Sequence, residues 1–358
     1  MKKRSHKCDK IFFAFIIVVI LFLVYANIKE YRLLEKVPII NIYGDNRIDL
    51  SELSLRQKIA QMMIVYSKPE NRDWINKNNI GGVYIYAEPT SVHFKSKIDF
   101  FQSNATIKLF IAVDLEGCNT PFDSFKDFRF ASEVKTSEEA YEMGKEHGQF
   151  LRELGFNLNF APVVDLKDTI WKCRAFEGTP EEVTKKAQSY LKGLREEDII
   201  STIKHYPGKT LEALDPHKEI LSTELMEDDV TPFLETLNDT DTVMVSHQIT
   251  TGVLDTSGKP AVVSSLVDDL SNRFKGMIIA DEIGMMGLKK FYKTDKERYT
   301  DLFKVSNDVI LIFHGDTFVL ERFIDAIEEG VEKGEISQDR IDKSVKKILE
   351  FKGYYVIN

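Results

Sequence analysis

The chain has 358 residues, 43% of them hydrophobic, and a formal net charge of −9, enough apolar mass for one large core. Its acidic balance excludes nucleic acid as a partner, because a phosphate-binding surface needs concentrated Lys and Arg.

The basic opening MKKRSHKCDK precedes an uncharged apolar run from Ile11 to Ala26, which is near the lower limit for a membrane span. Basic residues ahead of such a run place the N-terminus in the cytoplasm and the remainder outside. Residues 1–27 therefore read as a signal-anchor. A signal peptide cut after Val24-Tyr25-Ala26 is the alternative. Residues 28–48 follow as a polar juxtamembrane spacer, and residues 49–358 as one folded domain. The expected location is the membrane, with that domain extracytoplasmic, or secreted if the leader is cleaved.

Beyond the spacer, short apolar runs alternate with charged segments of helical period, which predicts βα units and a parallel sheet. Eight strands are expected: MMIVY from Met62, GGVYIY from Gly81, KLFIAVD from Lys108, FNLNFAPVVD from Phe156, ISTIKHY from Ile200, TVMVSH from Thr242, GMIIAD from Gly276 and DVILIF from Asp308. Ser137 to Leu154 and Pro180 to Glu196 carry Glu, Lys, Ala and Leu at helical spacing. The fold class that follows is α/β, a (β/α)8 TIM-type barrel behind an N-terminal anchor or signal segment. The tail from Asp316 holds two more amphipathic stretches and no later β-rich block. Cys8 sits in the leader. Cys118 and Cys173 both follow strand-end segments, so they either bridge across one rim of the barrel or remain two separate thiols.

The segment KHYPGKTLEALDPH, Lys204 to His217, carries the most chemistry. Lys204 and His205 should emerge at the carboxyl end of their strand, where α/β architectures bind ligands, and Pro207-Gly208 then stops it. Asp215 stands two positions before His217. A carboxylate there can orient the imidazole and raise its basicity, making an acid/base dyad. Asp281 ends the run GMIIA, where a barrel enzyme places catalytic groups. Capping of the next helix is the bland alternative for that carboxylate.

The Lys204 to His217 segment resembles the pattern K-H-[FY]-P-G-H-G-x4-D-S-H of glycoside hydrolase family 3, in its β-N-acetylglucosaminidase branch, without a gap. DLEG from Asp114, FAPVVD from Phe160, RAF from Arg174, VMVSH ending at His247 and ADEIGM from Ala280 match in chain order. The resemblance implies that residues 49–358 are the family's barrel domain, acting as a retaining exo-β-N-acetylhexosaminidase on cell-wall fragments or other glycans. It implies Asp281 as nucleophile, His217 as acid/base and Asp215 as its partner. Asp114, Arg174, Lys204, His205 and His247 would bind the sugar. The implied partners are a carbohydrate substrate and, through the leader, a membrane. No cofactor or metal is implied, and no His-Glu-x-x-His or Cys-rich spacing accompanies His205, Asp215 and His217.

The chain departs from the family pattern at several points. Phe122 stands where a substrate-binding Arg is expected, removing one polar contact. Lys209 and Thr210 replace the HG of GHG, Pro216 replaces Ser, and Asp281-Glu282 replaces Asp-Asp. Competing readings are a β-glycosidase of other sugar specificity, a membrane-tethered glycan-binding module with impaired catalysis, and a barrel aldolase using Lys204 as a Schiff-base lysine.

Overall fold

A computed structural model of the chain describes residues 17, 40–44, 46–212, 215 and 218–357. Its barrel strands are β1 (Met63–Tyr66), β2 (Gly82–Tyr84), β3 (Phe110–Val113), β4 (Leu158–Asn159), β5 (Thr202–Tyr206), β6 (Thr242–Val245), β7 (Met277–Ala280) and β8 (Val309–Ile312). All eight expected strands fall into one parallel sheet, in the order β4-β3-β2-β1-β8-β7-β6-β5. Nearly every strand residue is buried, as expected for parallel strands covered on both faces, and it explains why these segments read as continuous apolar runs.

Between β4 and β5 the ladder is reduced to isolated parallel bridges, Leu158 to Ile200 and Val163 to Lys204. Asn159 N donates to Ile200 O at 2.9 Å and Thr202 N to Ala161 O at 3.0 Å, so the barrel is nearly closed there. Pro162 has no N–H to add to this seam. A register shift interrupts the pairing of β5 with β6 between Ile203 and Tyr206. Such a bulge re-aims side chains, and here it lets consecutive residues, Lys204 and His205, both line one cavity. In a regular strand they would face opposite sides.

The two long helices form where helical periodicity placed them, Ser137–Leu154 and Pro180–Glu196. Thr136 with Glu139 and Thr179 with Glu182 close capping boxes at their starts, which satisfy otherwise orphaned N–H groups. Gly144 and Gly193 let these helices touch, since a Cβ at either would strike the facing backbone. Both amphipathic stretches of the tail are helical, Thr317–Glu332 and Gln338–Phe351.

The compact unit begins at Ile40 rather than at residue 49. Ile42–Tyr43 pairs with Arg47–Asp49, and a late strand, Tyr355–Ile357, pairs with the other edge of Arg47–Asp49. The end of the expected spacer and the tail are therefore part of the fold, buried at Ile40 and Ile48. The expected leader, apart from Ile17, and the spacer up to residue 39 lie outside the described residues. Among the described residues no helix is long and apolar enough to cross a membrane.

Cys118 and Cys173 form a disulfide across 55 residues of chain. A crosslink of that span restricts the unfolded chain by about 4 kcal/mol. Phe122, four residues beyond Cys118, is fully buried. Its ring lies 4.8 Å from that of Phe94 and 4.9 Å from that of Phe150, with Phe125, Phe128 and Phe156 beside it. The position expected to contact sugar therefore serves the core. Truncation by Phe122→Ala is expected to cost about 3–5 kcal/mol, read as a shift of the urea midpoint with an unchanged slope.

Candidate active site

Each barrel strand delivers its last residues to one rim, and the side chains there converge on a cavity of about 180 Å3. Pockets for drug-sized ligands run to about 300–1,000 Å3, so this one suits a single ring rather than an extended chain. Asp114, Arg174, Lys204, His205, His247 and Asp281, six of the residues singled out from sequence, line it together.

A cluster of four charges forms one wall. Lys204, 2% exposed, donates to Asp114 Oδ1 at 2.5 Å and also pairs with Glu116. Arg174 grips Glu116 in a fork, Nε to Oε2 at 2.5 Å and Nη2 to Oε1 at 2.9 Å. Burial pushes the Glu116 carboxyl up, but Arg174 and Lys204 outweigh it and hold the group well below the usual carboxylate range. Desolvation lowers the Lys204 ammonium, and Asp114 and Glu116 more than reverse that, leaving its pKa raised. A Schiff-base lysine needs the opposite shift, which removes the aldolase reading. Tyr84 donates its hydroxyl to Asp114 Oδ2 at 3.0 Å, so both oxygens of that carboxylate are anchored. Gly117, at φ +106°, turns the chain directly behind Glu116, where a Cβ would meet the Arg129 carbonyl.

His205 is fixed by Asp165, which ends the FAPVVD segment and is fully buried. Asp165 Oδ2 accepts the His205 backbone N–H at 3.0 Å and faces ring Nδ1 at 3.0 Å. Its Oδ1 accepts the Thr210 N–H at 2.8 Å and the Thr210 hydroxyl at 2.9 Å. Burial would raise the Asp165 pKa, yet His205 and the N–H donors pull it below its ordinary value. With Nδ1 donating to Asp165, Nε2 is the acceptor, 3.5 Å from Arg174 Nη2. Thr210 thus stiffens the loop. Lys209 reaches the Glu224 carbonyl at 3.2 Å, and it is not among the residues lining the cavity.

Asp281 follows β7 directly. Its Oδ1 accepts the Glu282 N–H at 2.7 Å, and His247 Nε2 lies 3.2 Å from its carbonyl oxygen. Burial works against the carboxylate, but His247, His205, that N–H and Lys204 bring its pKa below 3.8. Neighbouring Glu282 shows the contrary balance: burial raises its pKa. Its Oε1 is engaged by the Gly284 N–H at 2.8 Å and the Phe313 N–H at 3.2 Å. It ties the loop after β7 to the end of β8, where Phe313 stacks on Tyr84 at 4.3 Å.

His217 lies outside the described residues, so its place beside Asp281 is not given. Asp215 pairs with Lys218 at 3.1 Å, and its carbonyl accepts from Lys218 N and Glu219 N. Glu116, Asp165, Thr210 and Tyr84 have no role assigned from sequence, and Glu282 enters there only as a rival to Asp281. Two of them carried a signal: Asp165 ends an apolar strand run as Asp114 and Asp281 do, and Glu116 lies two residues after Asp114. Among the described residues no group of three or more His, Cys, Asp or Glu side chains is placed to hold a metal ion.

Fold and site together define a carbohydrate-active (β/α)8 barrel. Residues 54–351 match the glycosyl hydrolase family 3 N terminal domain, and the chain belongs to that family and is a glycosyl hydrolase. It is 24% identical over 335 residues to beta-hexosaminidase LpqI of Mycobacterium tuberculosis, spanning 84% of this chain and 83% of that protein. A family 3 glycosyl hydrolase structure from Mycobacterium smegmatis superposes with TM-score 0.76 at 26% identity, covering 85% of this chain and 99% of that one. The family 3 beta-N-acetylglucosaminidase of a Paenibacillus strain gives TM-score 0.75 at 26% identity over 84% of this chain and 62% of that chain.

Asp165→Asn turns a four-donor acceptor into a group that must itself donate. It is expected to lose about 2–3 kcal/mol of stability and to lower kcat/KM, measured by urea unfolding and steady-state assay. Asp165 and Glu116 have folded pKa values below their ordinary 3.8 and 4.5. Their stabilisation is therefore complete above those ordinary values and is lost as pH falls through the folded ones. Thermal midpoints are expected to hold down to about pH 5 and to fall below about pH 4.

Proposed function

We propose that the chain is a retaining exo-β-N-acetylhexosaminidase that removes terminal N-acetylglucosamine from cell-wall fragments or other glycans. The observation that carries this is Asp281: a carboxylate kept anionic at a strand end, in a cavity sized for one ring, beside Lys204, His205 and His247. Similarity to a beta-hexosaminidase and to a beta-N-acetylglucosaminidase supports the sugar.

In this reading Asp281 attacks the anomeric carbon as the bond to the leaving oxygen breaks, giving a covalent glycosyl-enzyme. His217, oriented by Asp215, supplies the proton to that oxygen. It then takes a proton from water, whose oxygen displaces Asp281 from the opposite face. Lys204, His205, Asp114 and Arg174 hold the ring hydroxyls, and His247 helps keep Asp281 ionised. A basic leader followed by an apolar run, together with a buried disulfide suited to oxidising compartments, supports a membrane-anchored or secreted enzyme acting outside the cytoplasm.

A β-glycosidase of broader specificity is the second reading. It is favoured by Phe122, which leaves the pocket one Arg short, and by a Cellulomonas fimi relative, 25% identical, named beta-N-acetylglucosaminidase/beta-glucosidase. The ratio of kcat/KM for nitrophenyl N-acetylglucosaminide and nitrophenyl glucoside separates the two.

Asp281→Ala is expected to abolish turnover on both, with azide restoring it to give the α-glycosyl azide; activity retained without azide would refute the assignment. His217→Ala is expected to slow poor leaving groups far more than activated phenols, because phenolates need little protonation. Since the Asp281 pKa lies below 3.8, it stays ionised as pH falls to that value. The acid limb of kcat/KM is therefore expected below pH 3.8, and the alkaline limb where the His217 imidazole loses the proton it donates. The pH profile of the wild type checks both.

A further inference from the structure

We propose that the Cys118–Cys173 disulfide is a positioning device for the sugar pocket: it holds the loops after β3 and β4 together so that the Arg174–Glu116 fork is assembled before ligand arrives. The kinetic part of this inference rests on the glycosidase reading.

Two crosslinks run in parallel between the same two loops. Glu116 and Cys118 belong to the first loop, Cys173 and Arg174 to the second, and the covalent link sits immediately beside the ionic one. The second loop has no helix or strand from Leu166 to Thr179, where the next helix is capped. Much of its order is internal: Asp168 accepts the N–H groups of Trp171, Cys173 and Arg174 at 2.8, 3.2 and 3.0 Å. Those bonds shape the loop without fastening it to Glu116; its other ties, Ser132 N–H to the Cys173 carbonyl at 3.4 Å, the Ala175–Val163 bridge and Thr169 N–H to the Leu211 carbonyl at 3.0 Å, lie farther from that carboxylate along the chain. The Arg174 guanidinium also lies 4.6 Å from the Trp171 ring centroid, so Trp171, Cys173 and Arg174 shift as one unit. If that unit moves, Glu116 loses its fork, Lys204 is left with both carboxylates, and the donors facing a bound sugar are rearranged. Asp281, directly after β7, keeps its bond from the Glu282 N–H. The disulfide therefore acts on sugar binding first and leaves the nucleophile's own hydrogen bond in place.

The test is Cys118→Ser/Cys173→Ser in the full chain, in a Trp74→Phe background so that Trp171 is the remaining tryptophan. KM for nitrophenyl N-acetylglucosaminide is expected to rise about tenfold or more, with kcat changed by less than about twofold. In an Arg174→Ala background, removing the disulfide is expected to leave KM unaltered, because both changes act through one contact. An unchanged KM, or an equal rise in both backgrounds, overturns the proposal and leaves the bond a stabiliser of the chain alone. A wild type that turns over no glycoside refutes the glycosidase reading instead. The staple is then judged from Trp171 emission, which shifts red in the variant if the loops part and stays fixed if the proposal is wrong.

Discussion

Four charges, three of them largely buried and Asp114 partly exposed, determine the organisation of the rim. Desolvating any one of Asp114, Glu116, Arg174 or Lys204 alone costs several kcal/mol. As a set they are neutral, and each carboxylate meets a cation at hydrogen-bond distance. The arrangement works only if the ends of three consecutive strands and the loops behind them hold register. The barrel therefore stabilises the charges, and the charges in turn align the barrel's rim. A fork is available because Arg174 is arginine; the lysine ammonium, a point charge, serves where two carboxylates are to be bridged.

Against burial, the nucleophile candidate stays ionised chiefly through His247 and His205, with the Glu282 N–H and Lys204 adding to them. Lys204 is the hinge between the two halves of the cavity, bound to Asp114 and Glu116 and contributing positive potential at Asp281. His205 faces the same way, its ring set by Asp165. Partnering of this kind separates Asp281 from Glu282, adjacent in sequence and opposite in charge preference. One lies beside Lys204, His205 and His247, and the other is buried against backbone.

Much of this was legible in the sequence, for identifiable reasons. Strands such as MIIA and VILI are buried on both faces and so stand out as unbroken apolar runs, and threonines at 136 and 179 mark helix starts that the structure keeps. The pair Ile42–Tyr43 and the strand Tyr355–Ile357 were not legible, because two- and three-residue edges carry no periodicity. In the site, Lys204, His205 and Asp281 stand out by their position at strand ends, whereas Asp114, Arg174 and His247 come from the family resemblance. The partners were missed because their role is relational: Glu116 matters through Arg174, Asp165 through His205, and Thr210 through a carboxylate 45 positions away. No local pattern encodes those pairings. His217, central to the proposed chemistry, falls outside the described residues.

The thin junction between β4 and β5 has a consequence for affinity. Arg174 lies beyond one side of that junction and Lys204 and His205 on the other. In the proposed function a sugar gripped by all three would act as an extra rung, supplying across the gap the cohesion that the backbone ladder leaves out, and ligand occupancy would then add to barrel stability.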